Sequence, residues 1–303
     1  MSAASLRALL GRSIDYAGMF PPCSLELEPA IKNQAEYARS ADSWMLSAFV
    51  LPVPKFGDAD PLTSQFDKQH PLRISALGPK TESAKDFLGE LQNIAAAIGS
   101  FQKQHVDRVS VAQIEMVLPA DVDLQGLSRA AVLLVELKVQ AFWETPAESA
   151  EQTITLLARA KQPMFGYKLR TGGVTADAFP SSVQIARGIL ASTKHHVPIK
   201  FTAGLHHPIR QFRDEVKTEM HGFLNVLGAG VLSAEHQWDE AQTVDMLEDQ
   251  TAKSFEFHDT VFAWRDWEIT LDRIKARRKF VTSFGSCSFD EPREDLRALT
   301  FVS

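Results

Sequence analysis

Short runs of apolar, β-branched and aromatic residues alternate along most of this chain with longer stretches of helical periodicity. The strand-like runs are SIDYAGMF (13–20), WMLSAFVLP (44–52), LRISALGP (72–79), VSVAQIEMVLP (109–119), VQAFWETP (139–146), MFGYKLRTGG (164–173), PIKFTAGLHH (198–207) and HGFLNVLGA (221–229). Most close on Gly, Pro or Thr, residues that end extended segments. Between them the spacing predicts helices over 25–41, 81–104, 123–136, 147–161, 181–194, 208–219 and 239–251. In the first of these, Leu27, Ile31, Ala35 and Ala38 recur at helical spacing. Pro29 and Pro208 fall in first turns, where a missing N–H costs least.

A strand followed by a helix thus recurs about every 30 residues from 13 to 252. No sequence repeat accompanies that period, which argues against a solenoid. Alternating β and α elements imply a parallel sheet. Eight such units in about 240 residues fit a closed (β/α)8 TIM barrel better than an open doubly wound sheet. The predicted organisation is a catalytic barrel over 1–252 and a C-terminal α+β extension, 253–303, packed on it. Within the extension, FEFHDTVFAW (255–264) reads as a hairpin that turns at His258-Asp259-Thr260. Residues 266–279 read as a basic-ended helix capped by Asp266, and Asp290-Glu291-Pro292 opens a last helix.

Composition narrows the function classes. The chain has 303 residues, 45% of them hydrophobic, enough to bury a large core and to exclude wholesale disorder. Its net charge of −6 comes without any long basic run, so neither nucleic acid nor a membrane surface is expected as the main partner. The only cysteines, Cys23 and Cys287, are too few for a disulfide scaffold or a Cys-rich zinc module and favour a reducing compartment. The first residues carry no signal-peptide run, and no stretch approaches the roughly 18–20 apolar residues that span a bilayer. The expectation is a soluble, cytoplasmic enzyme acting on a small molecule. The aromatic tail (Phe255, Phe257, Phe262, Trp264, Trp267) offers a surface for a homo-oligomer.

Candidate chemistry follows from strand geometry. Barrel active sites lie at the C-terminal strand ends, and side chains alternate between the two faces of a strand. Lys168 and Arg170 share a face of the sixth run. Lys200 and Thr202 share a face of the seventh, which Gly204 and His206 continue. Gln113, Glu115 and Val117 share a face of the fourth; Glu144 ends the fifth, Asp15 lies in the first and Asn225 in the eighth. A buried charge costs several kcal/mol unless it is paired, so charges at one level of several strands point to a site. Simpler roles stand beside these. Glu115 alone would serve as an ion-pair partner for Lys168, and Cys287 as a packing residue. His206 and His207, adjacent on a strand, point to opposite faces. Gly228-Ala229-Gly230 suits a helix-start turn as well as a phosphate loop.

Taken in order, these segments resemble the class I aldolases of the deoxyribose-phosphate aldolase type. The sixth strand of that family carries K-x-x-T-G, and here it is Lys168-Leu169-Arg170-Thr171-Gly172. The second lysine, followed by small residues, is matched by Lys200-Phe201-Thr202-Ala203-Gly204. The acidic residue of the fourth strand is matched by Glu115 in Ile114-Glu115-Met116-Val117-Leu118-Pro119. Trp143-Glu144-Thr145 is similar to the family's I-E-T, and Ile14-Asp15-Tyr16-Ala17 to its I-D-H-T. There are departures. Glu115 stands for Asp, Arg170 for a small hydroxyl residue and Ala203 for a glycine, and Gly228-Ala229-Gly230 lacks the serine of the phosphate loop. They imply a distant relative with a substrate other than a phosphorylated sugar.

The resemblance implies Lys168 as the Schiff-base lysine, Glu115 as general acid/base and Lys200 as its catalytic neighbour. A nucleophilic lysine must be neutral, whereas its ordinary pKa is about 10.4. Lys200 and Arg170 are therefore expected to lower it. Arg170 would grip a carboxylate or phosphate. Thr171, Thr202 and Asn225 would bind substrate hydroxyls. Asp15, Glu144 and His206 complete the substrate-binding set, the two acids also setting the charge of the lysines. No cofactor and no metal are expected. Three other functions draw on the same residues. One is a non-covalent isomerase or decarboxylase whose Lys-Glu-Lys cluster stabilises an enolate. Another is a metal-dependent hydrolase using His206, His207, Glu144, Asp15 and Glu115, which the neighbouring cations and the absence of HxH or HExxH spacing disfavour. The last is a binding module without turnover.

Overall fold

The computed structural model describes residues 2–302. The first seven apolar runs form β1 (Ile14–Tyr16), β2 (Leu46–Pro52), β3 (Leu72–Leu77), β4 (Val109–Val117), β5 (Gln140–Glu144), β6 (Phe165–Arg170) and β7 (Ile199–Thr202). They stand side by side in chain order, all parallel. After β7 come a hairpin, β8 (Gln211–Arg213) and β9 (Thr218–Met220), and an antiparallel sheet of β10 (Phe255–Phe257), β11 (Val261–Trp264) and β12 (Trp267–Thr270). Last comes β13 (Val281–Ser286), which inserts between β7 and β1 and closes an eight-stranded barrel. The chain is a TIM-type (β/α)8 barrel.

The outer helices start where the sequence supplies caps. Ser83 accepts the Asp86 N–H at the head of Ala84–Gln104, and Asp123 accepts that of Gly126 at the head of Leu124–Leu134. Reciprocal capping boxes, Ser181 with Gln184 and Asp239 with Gln242, open Ser182–His195 and Glu240–Glu248.

The eighth strand is not where the pattern placed it. HGFLNVLGA runs into a helix, Phe223–His236, in which every residue from Phe223 to Ser233 is buried. A helix apolar on all sides loses its 3.6-residue stripe and imitates a buried strand. The closing strand is VTSFGS, inside the stretch read as an extension. The division into 1–252 and 253–303 therefore fails, because the barrel runs to Ser286. What stands outside the barrel pattern is the β10–β12 sheet and the helix Leu271–Arg277, threaded between the last two units. The predicted helix 208–219 is the β8–β9 hairpin. Of the predicted helix 266–279, the first part is β12, and its N-cap is Thr270 rather than Asp266.

The barrel lumen is a packed interior. Gly166 on β6 leaves room for the Phe142 ring, which a Cβ at that position would meet at 2.5 Å. At the N-terminal end, the half-buried Arg278 donates to the carbonyls of Val281, Thr282 and Gly11, tying the start of β13 to the loop before β1. Above these layers the interior turns polar.

Candidate active site

Register brings the charges together. Glu144, Lys168 and Lys200 are lateral neighbours on β5, β6 and β7. Glu115 on β4 lies one inward-facing step below Val117, the partner of Glu144. The Lys168 ammonium donates to Glu115 Oε2 at 2.8 Å and to Glu144 Oε2 at 2.9 Å. Lys200 bonds the other oxygen of Glu115 and also Asp15 Oδ2, the latter at 2.8 Å. One carboxylate thus bridges two lysines, and each lysine holds a second acid.

The cluster is largely buried, and neutral side chains complete it. Asp15, Glu115 and Lys200 are each no more than 1% exposed, and Lys168 is 6% exposed. Gln113 donates to Asp15 Oδ2 and to Ser75 Oγ, both at 3.0 Å, while Ser75 donates to Glu115. Ser283 on β13 donates to Asp15 Oδ2 at 2.7 Å. The Phe142 ring lies under the Lys200 ammonium, 5.6 Å from it. Three carboxylates therefore face two ammonium groups; each charged group contacts one of opposite sign, and the cluster carries one net negative charge.

These contacts set the protonation states. Burial alone would raise the Glu115 carboxyl, but Lys168 and Lys200 together outweigh it and hold the acid well below the usual carboxylate range. Burial would push Lys168 down, but Glu115 and Glu144 outweigh it and hold the ammonium above the ordinary lysine range. The expected lowering of Lys168 by Lys200 and Arg170 is thus reversed. Both lysines are screened from each other by a shared carboxylate. Arg170 points to the rim, where its Nε donates to the Gly172 carbonyl at 3.1 Å.

Above the cluster opens a cavity of about 240 Å³, lined by Glu115, Lys168, Arg170, Thr202, His206 and Cys287 among others. A second cavity of about 360 Å³ adjoins it and shares Arg170, with Glu144 in its wall. Lys168 faces the first cavity, whereas Lys200 and Asp15 lie beneath its floor. Gly204, at φ +75°, turns the chain after β7 at the cavity edge; its Cα packs so closely on Gly172 that a Cβ on either would clash.

Of the predicted catalytic residues, Lys168, Lys200 and Glu115 converge in this cluster. Glu144 and Asp15 join it as partners of the lysines. Asp15 is too deep to touch a substrate, so its place in the substrate-binding set is corrected to one of support. Thr202, Arg170 and His206 line the cavity, His206 pairing through Nδ1 with Glu291 at 3.0 Å. Its neighbour His207 pairs with Asp295 at 2.6 Å and approaches the same Glu291 at 3.8 Å; both histidines lie in the loop after β7, so strand alternation does not separate them. Two substrate contacts are withdrawn. Thr171 is fully buried and donates to the Ala203 and Thr202 carbonyls at 2.6 and 3.1 Å. Asn225 sits inside a helix, where its Oδ1 accepts the Arg210 N–H and its Nδ2 donates to the Met246 and Asp249 carbonyls. Gly228-Ala229-Gly230 is also internal to that helix and forms no phosphate loop.

The hydrophobic pattern does not single out Ser75 or Ser283. Ser75 is a lone hydroxyl in an apolar strand, a weak signal, and Ser283 lies among Thr282 and Ser286 in a segment too polar to read as a strand. Gln113 shares the face of Glu115, but spacing alone assigns it no role.

Fold and site define a TIM-type barrel with a buried lysine–carboxylate network beneath an open mouth, an architecture common among enzymes. No protein-family model and no curated protein sequence matches this chain. Among the described residues no helix is long and apolar enough to cross a membrane.

Proposed function

We propose that this protein is a class I aldolase-like lyase that acts on a small, anionic carbonyl or sugar-derived compound through an imine on Lys168. The observation that carries the proposal is the single Glu115 carboxylate in contact with both lysines, with Lys168 alone of the two lysines lining the cavity. Lys168 must first lose its proton, and Glu144, at 2.9 Å and bonded to no second lysine, is the neighbour placed to take it. The free amine adds to the substrate carbonyl, and loss of water gives the iminium. The nitrogen again carries one positive charge, so the same two carboxylates stabilise ammonium and iminium alike. The iminium draws in the electrons of the bond between the carbons α and β to it as that bond breaks; the proton of the β-hydroxyl passes to Glu115, a carbonyl fragment leaves and an enamine remains. Glu115 returns the proton to the enamine carbon, and water hydrolyses the iminium to release the second product and restore Lys168. Lys200 bridges Asp15 and Glu115 and holds the two acids in place. Arg170 carries no carboxylate partner among the described residues and suits an anionic group of the substrate.

The firm hold on the Lys168 proton favours a second mechanism, in which the ammonium stays intact and stabilises an enolate as an isomerase or decarboxylase would require. Reduction with borohydride during incubation with a panel of aldehydes and ketones separates the two. The lyase leaves a covalent adduct on the protein; the enolate mechanism leaves none while substrate still turns over.

A further inference from the structure

We propose that Cys23 and Cys287 are a redox modification site, a dithiol that a low-molecular-weight disulfide converts into a reversible cross-link over the mouth of the barrel. The two thiols are far apart in sequence, Cys23 in the turn after β1 and Cys287 one residue beyond β13. The fold brings their sulfurs to 3.1 Å. A disulfide needs about 2.05 Å, so the bond forms with roughly one ångström of side-chain movement. The strands that carry the two segments are paired in the barrel, which holds the thiols opposite each other.

Their surroundings divide the work. Cys23 is exposed and meets small oxidants; Cys287 is buried. Burial keeps Cys287 from meeting a soluble disulfide, whereas its contact with the Cys23 sulfur, at 3.1 Å, makes it the resolving partner once Cys23 has reacted. Cys23 attacks oxidised glutathione, forms a mixed disulfide and releases one glutathione. Cys287 then attacks the Cys23 sulfur and releases the second. One S–S bond breaks and one forms, both thiol protons leave on the two glutathione molecules, and the electrons pass to glutathione.

The site bears on function because it forms part of the substrate cavity. Pro21, Pro22 and Cys287 line it, and Cys287 Sγ stands 3.8 Å from His206 Nδ1. Oxidation fixes the segment after the first strand to the segment after the last, directly beside the cavity over Lys168.

The test exposes the reduced full-length protein to a glutathione redox buffer, quenches with an alkylating reagent, and counts free thiols and cross-linked peptides. The expected result is loss of both thiols in a monomer, a single peptide pair joined through Cys23 and Cys287, recovery with dithiothreitol, and a thermal midpoint raised only in the oxidised form. In Cys23→Ser the buried Cys287 keeps its thiol; in Cys287→Ser, Cys23 stays as the glutathione adduct. Survival of both free thiols in excess oxidised glutathione would overturn the proposal. So would separate glutathione adducts on each cysteine, disulfide-linked dimers in place of the internal bond, or a stoichiometric zinc ion that masks both thiols.

Discussion

Lys168 and Lys200 contact opposite oxygens of the same Glu115 carboxylate, and all three side chains are buried in the barrel lumen. The acid is the hinge of the network, because it joins two ion pairs that would otherwise stand apart, Lys168 with Glu144 and Lys200 with Asp15. Removing its charge leaves each lysine one carboxylate, so the loss falls short of the roughly 3–5 kcal/mol of an orphaned buried charge. Glu115→Gln is expected to lower unfolding free energy by about 1–3 kcal/mol at neutral pH, measured by urea titration, through weaker hydrogen bonds to both lysines. No measurable loss would mean that Glu115 does not join the two pairs.

The same network predicts a stability plateau with two edges. Glu115 titrates lower in the folded chain than in the unfolded one. Its contribution is present above the ordinary carboxylate range and is lost as pH falls toward its folded value. Lys168 titrates higher when folded. Its contribution is complete below the ordinary lysine range and is lost as pH rises through the folded value. Glu115→Gln should flatten both edges in an unfolding series across pH, since it removes the acid and one of the two anions that hold Lys168.

Imine formation should share the alkaline edge. Only the neutral amine attacks, so the rate of reductive trapping is expected to climb with pH through and beyond the ordinary lysine range, without levelling near neutrality. Glu144→Gln removes one of the anions that raise Lys168 and should move this profile to lower pH. Rates of adduct formation by intact-protein mass, taken over a pH series, read both outcomes.

Arg170 should govern preference for charge in the substrate. Its guanidinium reaches the cavity without a carboxylate partner among the described residues. Arg170→Met is expected to weaken binding of carboxylate- or phosphate-bearing carbonyl compounds by about 10–100-fold while leaving neutral aldehydes unaffected. Comparing KM for matched charged and neutral compounds gives the answer.

Asn225 should behave as a structural residue. Removing its three buried hydrogen bonds with Asn225→Ala is expected to cost about 2–3 kcal/mol of stability and to leave KM within about twofold. A large KM effect in a stably folded variant would return it to the substrate site.

Much of this site was legible because strands obey a two-residue period. Lys168 and Arg170, Lys200 and Thr202, and Gln113 and Glu115 sit on inward faces that alternation alone identifies, and the βα rhythm places them at one mouth. The eighth strand was illegible for a physical reason. Phe223–Ser233 is buried on every side, so its apolar run carries no helical stripe. The true closing strand, with Ser283 and Gly285 in it, looks too small and polar for a core strand, because its inward face serves Asp15 and packs against Thr202. Protonation was beyond sequence as well. Two lysines on adjacent strands imply mutual repulsion until the structure shows Glu115 between them.

Covalent chemistry at Lys168 is read out by borohydride reduction of the folded protein with a panel of small carbonyl compounds, followed by peptide mapping. The predicted result is one adduct, on Lys168, absent in Lys168→Ala and never transferred to Lys200. No adduct with any compound that the protein turns over, or an adduct on Lys200 in its place, would contradict it.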